Sequence, residues 1–181
     1  MTAQRNTAAE AATLPENEAG HDLAACTSTV GRLVSAHFQI RTLEQADKLS
    51  GLLASQYPMP ERVLTGIWEL LANAVEHGNL EIKFEEKSQF VQSFCYLEEV
   101  TRRLALPCFA SRSVSVQFWR TAKSIRIRVC DEGPGFDFSR YVDGTSSEGV
   151  NGRGILIATK FSFDEVVYHR RGNEVDAVVR L

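Results

Sequence analysis

From His37 onward, two hydrophobic periods alternate along the chain. His37-Phe38-Gln39-Ile40 reads as a short strand, and 43–56 carries Leu43, Ala46, Leu49 and Leu53 at helical spacing. Pro58 and Pro60 stop that helix. Pro60 also suits the first turn of the next, where its fixed φ and missing N–H do no harm. This second helix, over about 60–77, places Val63, Leu64, Ile67, Leu70, Leu71, Ala74 and Val75 on one face. Glu69, Asn73 and His77, spaced i, i+4 and i+8, form a row on the opposite side, and Gly78-Asn79 supplies a stop.

Residues 80–112 mix charge with Phe84, Phe90, Phe94 and Tyr96 around a charged helical stretch near 97–106, and read as an insert or lid packed across the domain. Strict alternation then returns. Val114, Val116 and Phe118 define one strand and Ile125, Ile127 and Val129 a second, joined by a turn around Ala122-Lys123. Residues 152–161 read as a helix, and 163–169 with 174–181 as a closing hairpin across Arg171-Gly172-Asn173. The order predicts an α+β two-layer sandwich, with a mixed, mostly antiparallel sheet and the helices on one face.

Composition changes this picture little. Residues 1–28 hold Leu14 and Leu23 as their only large apolar side chains, too few to offset the entropy of ordering, so they read as a disordered tail before a folded unit at 29–181. With 44% hydrophobic and 24% charged residues the chain is an ordinary globular protein. A net charge of -3 argues against direct nucleic-acid binding, and His169-Arg170-Arg171 reads as a solvated turn. Cys26, Cys95, Cys108 and Cys130 form no CxxC pair, so metal-ligand spacing is absent, and Cys130 reads as a small buried hydrophobe. No apolar run reaches the roughly 18 residues a membrane span needs, and no cleavable leader is evident. A reducing, cytoplasmic location is expected.

Candidate chemistry gathers in three segments. Asp131 has the parity of Ile125, Ile127 and Val129 and therefore points to the buried face where its strand ends. Either it caps the turn Glu132-Gly133-Pro134-Gly135, or it accepts from a ligand amine such as that of adenine. Gly133 and Gly135 would let a flat ring approach the backbone. Gly152 and Gly154 precede the helical run Ile155-Leu156-Ile157-Ala158, where exposed amides and the helix dipole favour phosphate. Residues 143–151 have the Gly, Ser and Thr content of a mobile flap. The Walker-type GxxxxGK[ST] and the dinucleotide GxGxxG are both missing. The row Glu69, Asn73, His77 could equally be a solvated polar face.

Taken in order, Glu69-Leu70-Leu71-Ala72-Asn73-Ala74-Val75-Glu76-His77-Gly78, Asp131-Glu132-Gly133-Pro134-Gly135-Phe136 and Gly152-Arg153-Gly154-Ile155 resemble the N box and the two glycine boxes of the GHKL, or Bergerat-fold, ATPases. Within them the chain is most similar to the anti-sigma-factor serine/threonine kinases of bacterial partner switching; the long 80–112 segment looks more like related domains fused to response regulators. The resemblance implies ATP and Mg²⁺ as cofactors. It implies Asn73 as the metal ligand, Glu69 as the group that orients or deprotonates the attacking hydroxyl, and Asp131 as the adenine acceptor. Gly133 and Gly135 would line the ring, and Gly152, Arg153 and Gly154 would hold phosphates. His77 would close the helix end. Many relatives carry a threonine near the final hairpin that helps bind adenine, where this chain has Gly172-Asn173-Glu174-Val175. The implied partners are a small anti-sigma-factor antagonist, a sigma factor and a second copy of the chain. The alternatives are a nucleotide-gated binding module without phosphoryl transfer and an isolated histidine-kinase catalytic domain.

Overall fold

The computed structural model describes residues 31–138 and 153–181, so the tail and the flap expected at 143–151 lie outside the described residues. In chain order the elements are β1 (Ser35–Ile40), α1 (Leu43–Ala54), α2 (Pro60–Asn73), a π-wound turn (Ala74–Asn79), α3 (Phe84–Gln92), α4 (Tyr96–Leu104), α5 (Pro107–Ala110), β2 (Val114–Arg120), β3 (Ser124–Cys130), α6 (Arg153–Ile157), a second π-wound turn (Ala158–Ser162), β4 (Glu165–His169) and β5 (Glu174–Arg180). One sheet runs β1-β2-β3-β5-β4. Every pairing among these strands is antiparallel, as in Val116↔Val129 and Val129↔Val175. An α+β fold with one helical layer is therefore present, as the periodicities predict.

The alternation in β2 and β3 becomes burial. Val114, Val116, Phe118, Ile125, Ile127 and Val129 are all buried, and they meet Leu53, Ile67 and Leu71 of α1 and α2. Each fully buried side chain of this size contributes about 1.5–3 kcal/mol. Helix α1 begins with a capping box: Thr42 Oγ1 accepts from Gln45 N at 3.1 Å, and Gln45 Oε1 accepts from Thr42 N at 3.2 Å. Helix α2 starts on Pro60, as expected. It approaches the second π-wound turn so closely that a Cβ on Gly66 would stand 2.3 Å from Ser162 Cβ. On the open face of the sheet Asp176 is buried by its own partners. Arg128 donates to both carboxylate oxygens at 2.7 Å and His169 Nε2 lies 3.1 Å away.

Two expectations change. The regular α-winding of the second helix ends at Asn73, and the chain passes through Gly78-Asn79 in π geometry before stopping at Leu80, whose N–H reaches Val75 O at 3.0 Å. An i→i+5 turn inside a helix commonly marks a functional site. The 80–112 segment carries three helices where one stretch near 97–106 was expected. Few of their side chains are fully buried: α3 has none and α4 only Val100, with Tyr96, Leu104 and Phe109 packed partly buried against the core.

Candidate functional site

A cavity opens between the C-terminal half of α2, the end of β3 and the β4–β5 turn. Its walls are Leu70, Asn73, Ala74, His77, Gly78, Phe84, Val129, Asp131, Gly135, Phe136, Ile155, Tyr168, Gly172, Asn173, Glu174 and Val175. Two members of the row, Asn73 at the end of α2 and His77 in the π-wound turn, therefore face this cavity and not bulk solvent. Among the described residues no protein group hydrogen-bonds the Asn73 amide, which leaves its oxygen available to a ligand.

Asp131 sits where the sheet ends, as its parity requires. Oδ1 accepts from Gly133 N at 2.8 Å, and the backbone is tied to the hairpin by Asp131 N→Asn173 O and Asn173 Nδ2→Asp131 O, both 3.0 Å. Burial pushes its carboxyl up to about 6, against the pull of the Gly133 amide and Arg171. An acid pushed up in this way is short of compensating donors, and one oxygen remains to accept from a ligand N–H. The aspartate thus caps its turn, as one of the two expected readings has it.

The glycines have sharper roles than openness to a ring. A Cβ on Gly78 would lie 2.4 Å from Asp131 Cγ, and one on Gly133 only 2.2 Å from Gly78 O. Gly133 is thus absent from the cavity wall; it lets the first glycine box seat on the π-wound turn. Gly135 does line the cavity, at φ +79, with its α-carbon packed on Arg171 O, which accepts from Phe136 N at 2.9 Å. A Cβ on Gly154 would lie 2.2 Å from Glu69 Oε2. Glu69 is therefore not on the cavity wall but beside it, half-buried under the start of α6. Burial raises its carboxyl, Lys87 opposes the rise and Glu76 adds to it. Gly152 and the side chain of Arg153 lie outside the described residues.

His77 closes the helix end, as expected, through Nδ1 and the Ile82 carbonyl at 2.5 Å, and burial holds its ring below the usual histidine range. The same ring packs on Phe84 with centroids 4.0 Å apart. Phe84, Phe136, Tyr168 and Asn173 were not singled out from the sequence as site residues. Phe136 and Tyr168 pack edge to face, 5.4 Å apart, and with Phe84 give the cavity aromatic walls suited to a flat ring. Asn173 occupies the hairpin stretch where the expected threonine is missing. Its Oδ1 is buried without a hydrogen-bond partner among the described residues, beside Asp131. Of these four, Phe136, adjoining Gly135, and Asn173, in the stretch where a threonine was expected, carried a sequence signal.

No group of three or more His, Cys, Asp or Glu among the described residues could hold a metal ion by itself. A hard cation at Asn73 would therefore complete its shell with phosphate oxygens and water, the usual habit of Mg²⁺. Among these residues no helix is long and apolar enough to cross a membrane.

A single antiparallel sheet under one helical layer, with a cavity between a strand-end aspartate and an asparagine-bearing helix, defines an α+β domain with a candidate ligand site. Residues 27–179 match the histidine kinase-like ATPase domain, and the chain belongs to that family. ATP binding follows from this membership. A search of curated proteins finds no match to the chain.

Proposed function

We propose that this ATP-binding domain is a regulatory serine/threonine kinase that phosphorylates a small antagonist protein in a partner-switching pathway and binds a sigma factor when that antagonist is modified. The observation that carries the transfer step is the position of Glu69, one helical turn before Asn73, half-buried against Gly154 with a raised carboxyl. A raised carboxylate is a stronger proton acceptor and suits a general base near neutral pH. In this reading Asp131 accepts from the exocyclic amine of adenine and Asn173 Oδ1 offers a second acceptor. The amides of Gly152, Arg153 and Gly154 hold the phosphates, and the Arg153 guanidinium adds charge. The Asn73 amide oxygen holds Mg²⁺, which neutralises phosphate charge when bound. Glu69 takes the proton of a serine hydroxyl as its oxygen bonds to the γ-phosphorus. The bond to the β–γ bridging oxygen breaks, and ADP leaves with the electron pair.

The second reading is a nucleotide-gated binding module that sequesters a partner without transfer. One observation favours it: Glu69 lies beside the cavity and not on its wall. Incubation with labelled ATP, Mg²⁺ and a small anti-sigma-factor antagonist separates the two. Label on an antagonist serine, lost in Glu69→Ala while ATP still binds, is the expected result. Intact ATP binding with no label on the antagonist would leave the binding module.

A further inference from the structure

The 80–112 insert adds Leu80, Ile82 and Val100 to the core, and its helices also meet the π-wound turn with a set of polar grips. Glu76, in the middle of that turn, is only 3% exposed. Its two oxygens are taken by different helices of the insert: the Lys87 ammonium of α3 holds Oε2 and the Tyr96 hydroxyl of α4 holds Oε1. A carboxylate buried this deeply is costly unless paired, so these two contacts decide whether the turn can keep its winding. Arg103 and Arg112, which also pair with Glu86, Glu99 and Glu81, reach backbone as well. Arg103 Nη1 donates to Leu80 O at 3.0 Å and Glu81 O at 2.9 Å, and Arg112 Nη1 to Asn79 O at 2.9 Å. The Asn79 and Leu80 carbonyls stand at the end of the turn, where helical winding leaves carbonyls without partners, and Glu81 follows it at φ 52. Phe84, at the start of α3, reaches the cavity and packs on His77.

We propose that Lys87 and Tyr96 are positioning residues: through the buried Glu76 they fix the turn that presents His77 and Gly78 to the nucleotide cavity beside Glu69. The proposal rests on the ATP-dependent kinase reading above for its effect on turnover, and on geometry alone for its effect on the turn. Lys87 and Glu76 also act in opposite senses on the Glu69 carboxyl, so the three charges form one group. Base recognition at Asp131 and Asn173 is held separately, by β3 and the β4–β5 turn.

Lys87→Met, Lys87→Arg and Tyr96→Phe of the full chain are compared with the wild type in three measurements: ATP affinity by calorimetry, phosphoryl turnover, and amide hydrogen exchange. The amides to follow are those of Leu80 and Ile82, which bond to Val75 O at 3.0 Å and Glu76 O at 2.9 Å. Lys87→Met should lower kcat about tenfold or more, the loss of one charge-assisted contact, with KM for ATP within about twofold of wild type. Lys87→Arg should recover most of the rate, and exchange at both amides should quicken roughly tenfold in Lys87→Met. Should Lys87→Met fail to fold, Tyr96→Phe removes a single hydroxyl and should shift the same quantities in the same direction. Unchanged exchange in both variants overturns the proposal, as does a matching rise in KM that Lys87→Arg does not correct. A wild-type protein that binds no ATP would sink the kinase reading, and exchange alone would then decide the positioning role.

Discussion

Asp131→Asn separates stability from binding, because the two should move in opposite directions. Burial lifts the Asp131 carboxyl from 3.8 to about 6. At roughly 1.4 kcal/mol per pH unit, this shift of about two units makes ionised Asp131 a burden of roughly 3 kcal/mol at neutral pH. The sign is that of an acid raised on folding: the burden is absent below the unfolded pKa and complete once pH has risen through about 6. Asparagine has the same shape and no charge, and its Oδ1 can still accept from Gly133 N. The variant should therefore be at least as stable as wild type at pH 7.5, with the difference shrinking toward pH 4. Its amide N–H groups would face the adenine amine donor to donor. Losing a hydrogen bond to a charged acceptor, about 1.5–3 kcal/mol, should weaken ATP binding roughly 10- to 150-fold. Wild-type affinity should also fall as pH drops through about 6, while the variant's affinity stays flat. Urea unfolding and calorimetric titration of ATP across pH 5–8 measure both quantities. A variant that binds ATP as tightly as wild type, or that loses stability at pH 7.5, would refute the assignment.

Gly78→Ala should displace either Asp131 or the π-wound turn, since the new Cβ would stand 2.4 Å from Asp131 Cγ. Overpacking of this kind costs about 1–3 kcal/mol, so urea unfolding should show the loss and calorimetry should show weakened ATP binding; an unchanged affinity would count against the interlock. Arg128→Ala removes both short bonds to Asp176, whose carboxyl Arg128 and His169 hold below its usual range. Because a lowered acid contributes stability above its unfolded pKa and loses it as pH falls, the variant should show a smaller stability gain from pH 3 to pH 6, followed by circular dichroism.

The layers were legible because burial follows period. Alternation in β2 and β3, the apolar stripe of α2 and the parity of Asp131 are all properties of neighbouring residues, and they placed their side chains on the correct face except for Leu64, which is 42% exposed. The π winding of Ala74–Asn79 was not legible, since an extra residue per turn leaves the apolar pattern of Ala74 and Val75 unchanged. The insert was opaque for a related reason. Its helices are held by polar contacts to Glu76, Leu80 and Glu81, and such contacts leave no periodic trace. The role of Gly133 is a contact with a residue more than fifty positions away, which no local reading supplies. Phe84 and Tyr168 belong to elements far apart in the chain and meet only once the sheet has closed.

The glycine interlock bears on inheritance and engineering alike. Gly78 accommodates Asp131, Gly133 accommodates Gly78, and Gly154 accommodates Glu69. Each small residue is thus defined by a residue in a different segment: a side chain added at Gly133 meets the Gly78 backbone carbonyl, and one added at Gly78 or Gly154 has no room unless Asp131 or Glu69 moves. The three segments should behave as one heritable unit, changing by compensated pairs. A graft that carries the first glycine segment to another scaffold without the helix bearing Glu69 and Gly78 would lose its shape before it met a nucleotide.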